Sequence, residues 1–291
     1  MGLKAVFLDF DDTLCATSEH DVPALEAATA AAAAALSERG GLAAGPVDRA
    51  RLLADFRAMF SSTPWDPSPN PMEVGAWRGA LWARALALQA TPPEDERAAA
   101  AVAAAGEAAQ AAFDGHRLAH LVFAPGAREA VAHARARGLS LVMITNGHHR
   151  VQRDKLAAVR AHELFPDPRS IIVGGEEVLR GGEEKPSRGI FLKACGVAGC
   201  APHEAAHVGD SLATDVQVRR SGKRVPHVTR VSHRSPLRSR VESDFSRIEA
   251  RASVALNASP LTRPPRRFLR NALRASRRRG ASARRFARRC G

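Results

Sequence analysis

Hydrophobic positions follow two different rhythms along the chain. Residues 4–9, KAVFLD, hold a short unbroken apolar run that ends on Asp9, the pattern of a strand buried on both faces. From about 16 to 117 the rhythm becomes helical. Ala-rich, Leu-spaced stretches at 23–38, 47–60, 73–90 and 94–113 are separated by the breakers GGLAAGP and STPWDPSPNP, with no strand pattern between them. After Pro125-Gly126, helical and apolar runs alternate. A helix is predicted over 126–137, stopping at Gly138, then a strand LSLVMIT over 139–145 and a helix over about 148–160. A strand SIIVGG follows at 170–175, a helix near 187–195, a strand AAHVGD at 205–210 and a helix from about 212. This alternation predicts an α/β fold with a doubly wound, Rossmann-like parallel sheet. The helical block interrupts that series after its first strand, so it reads as an inserted cap. The expected organisation is a core of residues 1–15 and 118–222, an all-helical cap over 16–117, and a tail over 223–291.

Charge separates the tail from the rest. The chain of 291 residues carries a net +13, but residues 223–291 hold 20 Lys and Arg against three acids, a net +17. Residues 1–222 carry 23 basic against 27 acidic groups, a net −4. A mildly acidic globule is followed by a basic, low-complexity tail that is expected to be disordered and to bind polyanions weakly, without sequence preference. The tail has only Phe245, Phe268 and Phe286 as stacking groups and no reader motif, so no specific nucleic acid is expected as a partner. The alanine tract at 27–35 is too weakly hydrophobic for a membrane span, and Asp9 cuts short the N-terminal apolar run that a signal peptide would need. Cys15, Cys195, Cys200 and Cys290 lack the spacing of a zinc site. A cytoplasmic location is expected.

Chemistry collects where the strands end. The first strand runs into Asp9, Asp11 and Asp12, and the second into Thr145, Asn146 and Gly147. The third is followed by Glu184-Lys185-Pro186, and the fourth by Gly209-Asp210-Ser211, with Asp215 beyond. Ligands of open parallel sheets sit at the carboxyl ends of the strands. Two carboxylates about 4 Å apart repel by roughly 4 kcal/mol at an effective dielectric near 20. A knot of aspartates at a strand end therefore asks for a cation or for a shared proton. Carboxylates, a hydroxyl, an amide and a lysine together suit Mg²⁺ and a phosphoryl group.

The motifs DFDDT, TNG, EKP and VGDSLATD, in that order over roughly residues 4–222, resemble the haloacid dehalogenase superfamily of aspartate-nucleophile phosphatases. IIVGGEE, EEKPS and VGDSLATDV look most like its N-acylneuraminate-9-phosphatase branch. The resemblance implies that Asp9 attacks phosphorus and that Asp11 protonates the leaving alkoxide and later activates water. It implies Mg²⁺ held by Asp9, by the carbonyl of Asp11 and by Asp210, with phosphate bound by Phe10, Asp11, Thr145, Asn146 and Lys185. The implied reaction is Mg²⁺-dependent hydrolysis of a small sugar phosphate, N-acylneuraminate 9-phosphate foremost. Another small phosphate such as a nucleotide or phosphoglycolate is the nearest alternative. An impaired enzyme whose basic tail binds polyanions is a rival of a different class.

Blander readings stand beside these. Each strand-end residue taken alone could be a helix cap, a turn or a solvated charge, and only their order makes a site. Asp215 reads as a structural hydrogen-bonder beside the site, and Asp12 takes no chemistry. His148 and His149 open a helix on the solvent side, and Trp65, Trp77 and Trp82 read as packing residues of the cap. The loop EEVLRGGEE must deliver Lys185. After Gln217 the chain reads VRRSGKRVPHVTRVSHRSP, in which Pro226 and scattered arginines make a poor strand, so the sheet edge is expected to lack one.

Overall fold

The apolar run at the N-terminus becomes β1 (Ala5–Leu8), the middle strand of a five-stranded sheet in the order β3-β2-β1-β4-β5. The other strands are β2 (Ser140–Thr145), β3 (Ile171–Val173), β4 (Ala205–Gly209) and β5 (His227–Arg230), and every pairing is parallel. This computed structural model describes residues 2–38, 45–63, 73–89, 96–216 and 227–230, all within one compact unit, Gly2–Glu249.

Alternation along the strands decides what each face packs against. Val6 and Leu8 of β1, with Leu141 and Met143 of β2, point into one apolar core. Ala5 and Phe7, with Val142 and Ile144, point into the other. The first core is closed by α5 (Ala127–Ala136), α6 (His149–Ala158) and α7 (Ala161–Leu164), through Val131, Leu156 and Leu164. The second is closed by α9 (Arg188–Ala198), through Ile190, Phe191 and Ala194. Ser187 caps the start of α9 by accepting from the Gly189 N–H, and Gly199, at φ +63, ends it in the left-handed conformation that a side chain would disfavour. Complete burial of a side chain such as Phe7 contributes about 1.5–3 kcal/mol.

Between β1 and β2 lie α1 (Asp21–Glu38), α2 (Arg49–Ser62), α3 (Val74–Ala87) and α4 (Glu96–His120), with an apolar core of their own. Asp48 caps α2 by accepting from the N–H groups of Ala50 and Arg51. Trp82 is fully buried there and stacks on Phe56 at 3.6 Å between ring centroids. Trp77 packs partly buried at the edge of the same cluster, while Trp65 lies outside the described residues. At the α3–α4 crossing the helices meet at Gly106, where a Cβ would press on the Ala83 nitrogen at 2.7 Å and on the Gly79 carbonyl.

Three expectations need correction. The strand foreseen over 170–175 stops at Val173, because Gly174 and Gly175 instead open a short helix, α8 (Gly174–Leu179). The contacts explain why these two positions have no side chain: a Cβ on Gly174 would meet Glu184 Cβ at 2.7 Å, and one on Gly175 would meet the His149 nitrogen at 2.8 Å. The helix foreseen from 212 is, within the described residues, a π-helical turn at Leu212–Val216. The sheet edge after Gln217 does carry a strand: β5 pairs His227–Arg230 with Ala206–Gly209 of β4. Pro226 precedes it in sequence and lies outside the described residues, and an edge strand pairs on one side only. Residues 231–291, and with them most of the tail and its expected disorder and polyanion binding, lie outside the described residues.

Candidate active site at the strand ends

β1 lies where the strand order reverses, with β2 on one side and β4 on the other. The residues following these three strands therefore converge. Asp9 continues the ladder, its N–H donating to the Val208 carbonyl at 2.9 Å, and is 6% exposed. Its Oδ1 accepts from the Phe10 N–H at 2.8 Å and from Lys185 Nζ at 2.7 Å. Oδ2 takes no hydrogen bond among the described residues, which leaves one carboxylate oxygen available. Burial pushes the Asp9 carboxyl up to about 7 against the pull of Lys185, with the Asp215 charge adding to the rise.

Lys185 sits at the centre of this arrangement, 3% exposed, with Nζ also 2.8 Å from Asp215 Oδ1. Burial opposes its charge, but the two carboxylates outweigh burial and hold the ammonium above its ordinary value. Asn146 fixes its backbone: Nδ2 donates to the Lys185 carbonyl at 2.7 Å, and Oδ1 accepts from the Lys185 N–H at 2.9 Å. Gly147, at φ +114, turns the chain there and donates its N–H to Glu184 Oε2 at 3.3 Å. Lys185-Pro186 is a cis peptide.

Asp215 is fully buried and takes three bonds: Lys185 and His207 Nε2, at 2.9 Å, on Oδ1, and the Ser211 N–H, at 3.0 Å, on Oδ2. A carboxylate only accepts, so His207 carries its proton on Nε2. Burial keeps that imidazole neutral, below its usual value. Burial also works against the Asp215 charge, but His207 and Lys185 prevail and hold the carboxyl at about 2. Gly209 permits the approach, since any Cβ there would collide with the Asp215 carboxylate. Oxygens of Asp9, Asp210 and Asp215 lie within 4.8 Å of one another. Three hard carboxylate donors around one point fit Mg²⁺.

Asp11 faces away from this cluster, into a cleft below α1–α4. Its Oδ1 accepts from Thr17 Oγ1 at 2.7 Å and Lys155 Nζ at 2.8 Å, and its Oδ2 accepts from Gln152 Nε2 at 2.7 Å. Burial opposes its ionisation, yet Lys155 with these hydrogen bonds holds it below the usual carboxylate range. Gln152 also donates to Thr145 Oγ1 at 2.9 Å, so the fully buried Thr145 is tied to the same network. Asp12, at φ 52, accepts from the Ser18 N–H at 2.9 Å.

The residues singled out thus lie at the carboxyl ends of the strands, with Asp11 set apart by facing the cleft. Gln152 and Lys155 were missed. Both are buried polar residues of α6, spaced i and i+3 on one helix face beside Leu156. A polar pair on the face that an apolar neighbour marks as inward is the signal that could have found them.

Residues 3–221 match the haloacid dehalogenase-like hydrolase family. A phosphoserine phosphatase from Thermus thermophilus is 33% identical over 243 residues, covering 78% of this chain and 89% of that protein. The N-acylneuraminate-9-phosphatase of Homo sapiens is 34% identical over 101 residues, only 35% of this chain and 38% of its own length. Among solved structures, a haloacid dehalogenase-like family hydrolase from Xanthomonas campestris shares the fold at a TM-score of 0.52 and 19% identity, over 87% of this chain and 95% of that one. No described helix is long and apolar enough to cross a membrane. By the match over residues 3–221, this chain belongs to the haloacid dehalogenase-like hydrolases.

Proposed function

We propose that the protein is a Mg²⁺-dependent phosphomonoesterase of small phosphate esters that passes the phosphoryl group through Asp9. The observation carrying this reading is the Asp9 carboxylate itself: one oxygen is anchored by Lys185 and the Phe10 N–H, and the other is unengaged at the centre of the strand ends. That is the arrangement of a positioned nucleophile. Lys185 favours the charged form of Asp9 against burial and stands ready to meet the oxygens of a transferring phosphoryl group, with Thr145, Asn146 and the backbone at Phe10 and Asp11 around it. Mg²⁺, held by Asp9, Asp210 and the carbonyl of Asp11 with Asp215 beside them, would neutralise charge on those oxygens. Asp11 is the acid and base. In the structure it is held ionised, the state that accepts a proton from water. Donating to a leaving alkoxide requires it to take up a proton and turn from Lys155.

For the substrate, the motif-level resemblance favours N-acylneuraminate 9-phosphate. Phosphoserine is the second reading, supported by the longer alignment, which covers most of both chains. The test is phosphate release over a panel of small phosphate esters, with and without Mg²⁺. Metal-dependent turnover with highest kcat/KM on N-acylneuraminate 9-phosphate is the expected result. Preference for phosphoserine or a nucleotide would reject that substrate and keep the chemistry, while no turnover of any ester would reject the phosphatase.

A further inference from the structure

The cleft that receives Asp11 has a volume of about 420 Å³ and is walled on its far side by α1–α4. Its charges do not balance. Lys155 is paired with Asp11, and Arg117 with Asp21 at 3.0 Å. Arg57 and Arg78 face the same cleft with no ion pair among the described residues. Arg57 is exposed and solvated. Arg78 is not: its Nε is buried without a hydrogen-bond partner, and its guanidinium lies 5.6 Å from the Phe60 ring centroid. Asp114 and Asp21 favour its charge from nearby, but neither pairs with it: Asp114 accepts from Gln110 Nε2 at 2.8 Å, and Asp21 pairs with Arg117. Burial, with Arg117 repelling from nearby, pulls the Arg78 guanidinium below its ordinary value.

A half-buried guanidinium with no ion pair among the described residues carries a desolvation cost that a bound anion would offset. The planar fork of an arginine matches one carboxylate, held by two parallel N–H···O bonds. The Phe60 and Phe113 rings line the cleft beside it and lower the local polarity around such a pair, although Phe60 itself is exposed. Gln110 Oε1, also buried without a partner, lines the same cleft and suits an amino or hydroxyl group beside that carboxylate.

We propose that Arg78 is a specificity-determining residue and that the substrates are phosphomonoesters bearing a carboxylate, which Arg78 binds in the cleft while the phosphate lies at the strand ends. This rests on the phosphatase reading above and narrows its substrate class. The test compares kcat/KM for matched pairs that differ in one charge: O-phosphoserine with its carboxamide, and phosphoglycolate with glycolamide phosphate. Wild-type enzyme is expected to prefer the acid of each pair by at least about tenfold, and Arg78→Gln to reduce that ratio to within about threefold of one, because the buried fork then has no charge to offer. Arg78→Lys, which keeps the charge and loses the fork, is expected to fall between. A wild-type ratio near one overturns the proposal whatever the variants do, and so does an unchanged ratio in Arg78→Gln. Hydrolysis of neither member of any pair, nor of p-nitrophenyl phosphate, would instead overturn the phosphatase reading on which the proposal stands.

Discussion

Asp215→Asn is the substitution whose cost can be worked most fully from the structure. Asp215 accepts from Lys185 at 2.8 Å, from His207 at 2.9 Å and from the Ser211 N–H at 3.0 Å, with no exposure to water. Asparagine keeps one acceptor oxygen and adds an amide that only donates. Whichever way it turns, at least one of the three donors then faces another donor, a loss of about 1–3 kcal/mol. The charge is lost as well. At an effective dielectric of 20, attraction to Lys185 at 2.8 Å is about 6 kcal/mol, and repulsion from Asp9 and Asp210, each at the 4.8 Å limit, is about 3.5 apiece when both are ionised. The two nearly cancel, so the lost charge adds about 1 kcal/mol at most. The sum, about 1–4 kcal/mol, reaches at its upper end what breaking one side of a buried ion pair ordinarily costs. The assay is urea unfolding of metal-free protein followed by circular dichroism. The pH dependence has a definite sign. Asp215 is held at about 2, below its ordinary 3.8, so its ionised form contributes fully above pH 4 and progressively less as pH falls toward 2. The gap between wild type and Asp215→Asn is therefore expected to be about 1 kcal/mol smaller at pH 3 than at pH 6. A gap under about 1 kcal/mol at pH 7 would refute the reasoning, because it falls below the hydrogen-bond loss alone.

Asp11→Asn is expected to slow hydrolysis of alkyl phosphates far more than that of p-nitrophenyl phosphate, whose leaving group needs little help from a proton; equal losses would remove Asp11 from the acid role. Gly106→Ala, which forces a Cβ onto the backbone of α3, is expected to lower stability by about 1–3 kcal/mol in a urea melt, and a neutral result would show that the crossing can part without cost. Mg²⁺ is expected to raise the Tm more at pH 8 than at pH 5.5. Burial lifts the Asp9 carboxyl to about 7, so each pH unit below that weakens its hold on the metal by about tenfold. A Tm shift of equal size at both values would take Asp9 out of the metal site.

The chain order and the main elements were legible because their patterns are unambiguous. β1, β2 and β4 are short apolar runs ending in polar residues, and α1–α4 begin and end within a few residues of the predicted stretches, save that α4 runs on to His120. What escaped notice depends on contacts between distant segments. Gly174 and Gly175 look like the tail of a strand, and only the closeness of Glu184 and His149 shows why they start a helix. β5 is written in residues that suit an exposed edge, and its partner β4 cannot be inferred from the sequence of β5. Lys155 and Gln152 resemble ordinary polar residues of an exposed helix until Asp11, more than 140 positions earlier, is placed against them. Asp215 was legible as a hydrogen-bonder, and the structure adds that its oxygens stand beside those of Asp9 and Asp210.

The most direct test of the central proposal is to look for phosphate on the protein itself. Enzyme mixed with substrate and Mg²⁺ is quenched in acid within a single turnover, digested, and its peptides are weighed and fragmented. The expected result is one added phosphoryl group on the peptide that begins the chain, mapped to Asp9 and absent from Asp9→Asn, which should also release almost no phosphate. A phosphoryl group on any other residue, or turnover by Asp9→Asn at more than about a tenth of the wild-type rate, a barrier change under ~1.4 kcal/mol, would contradict it.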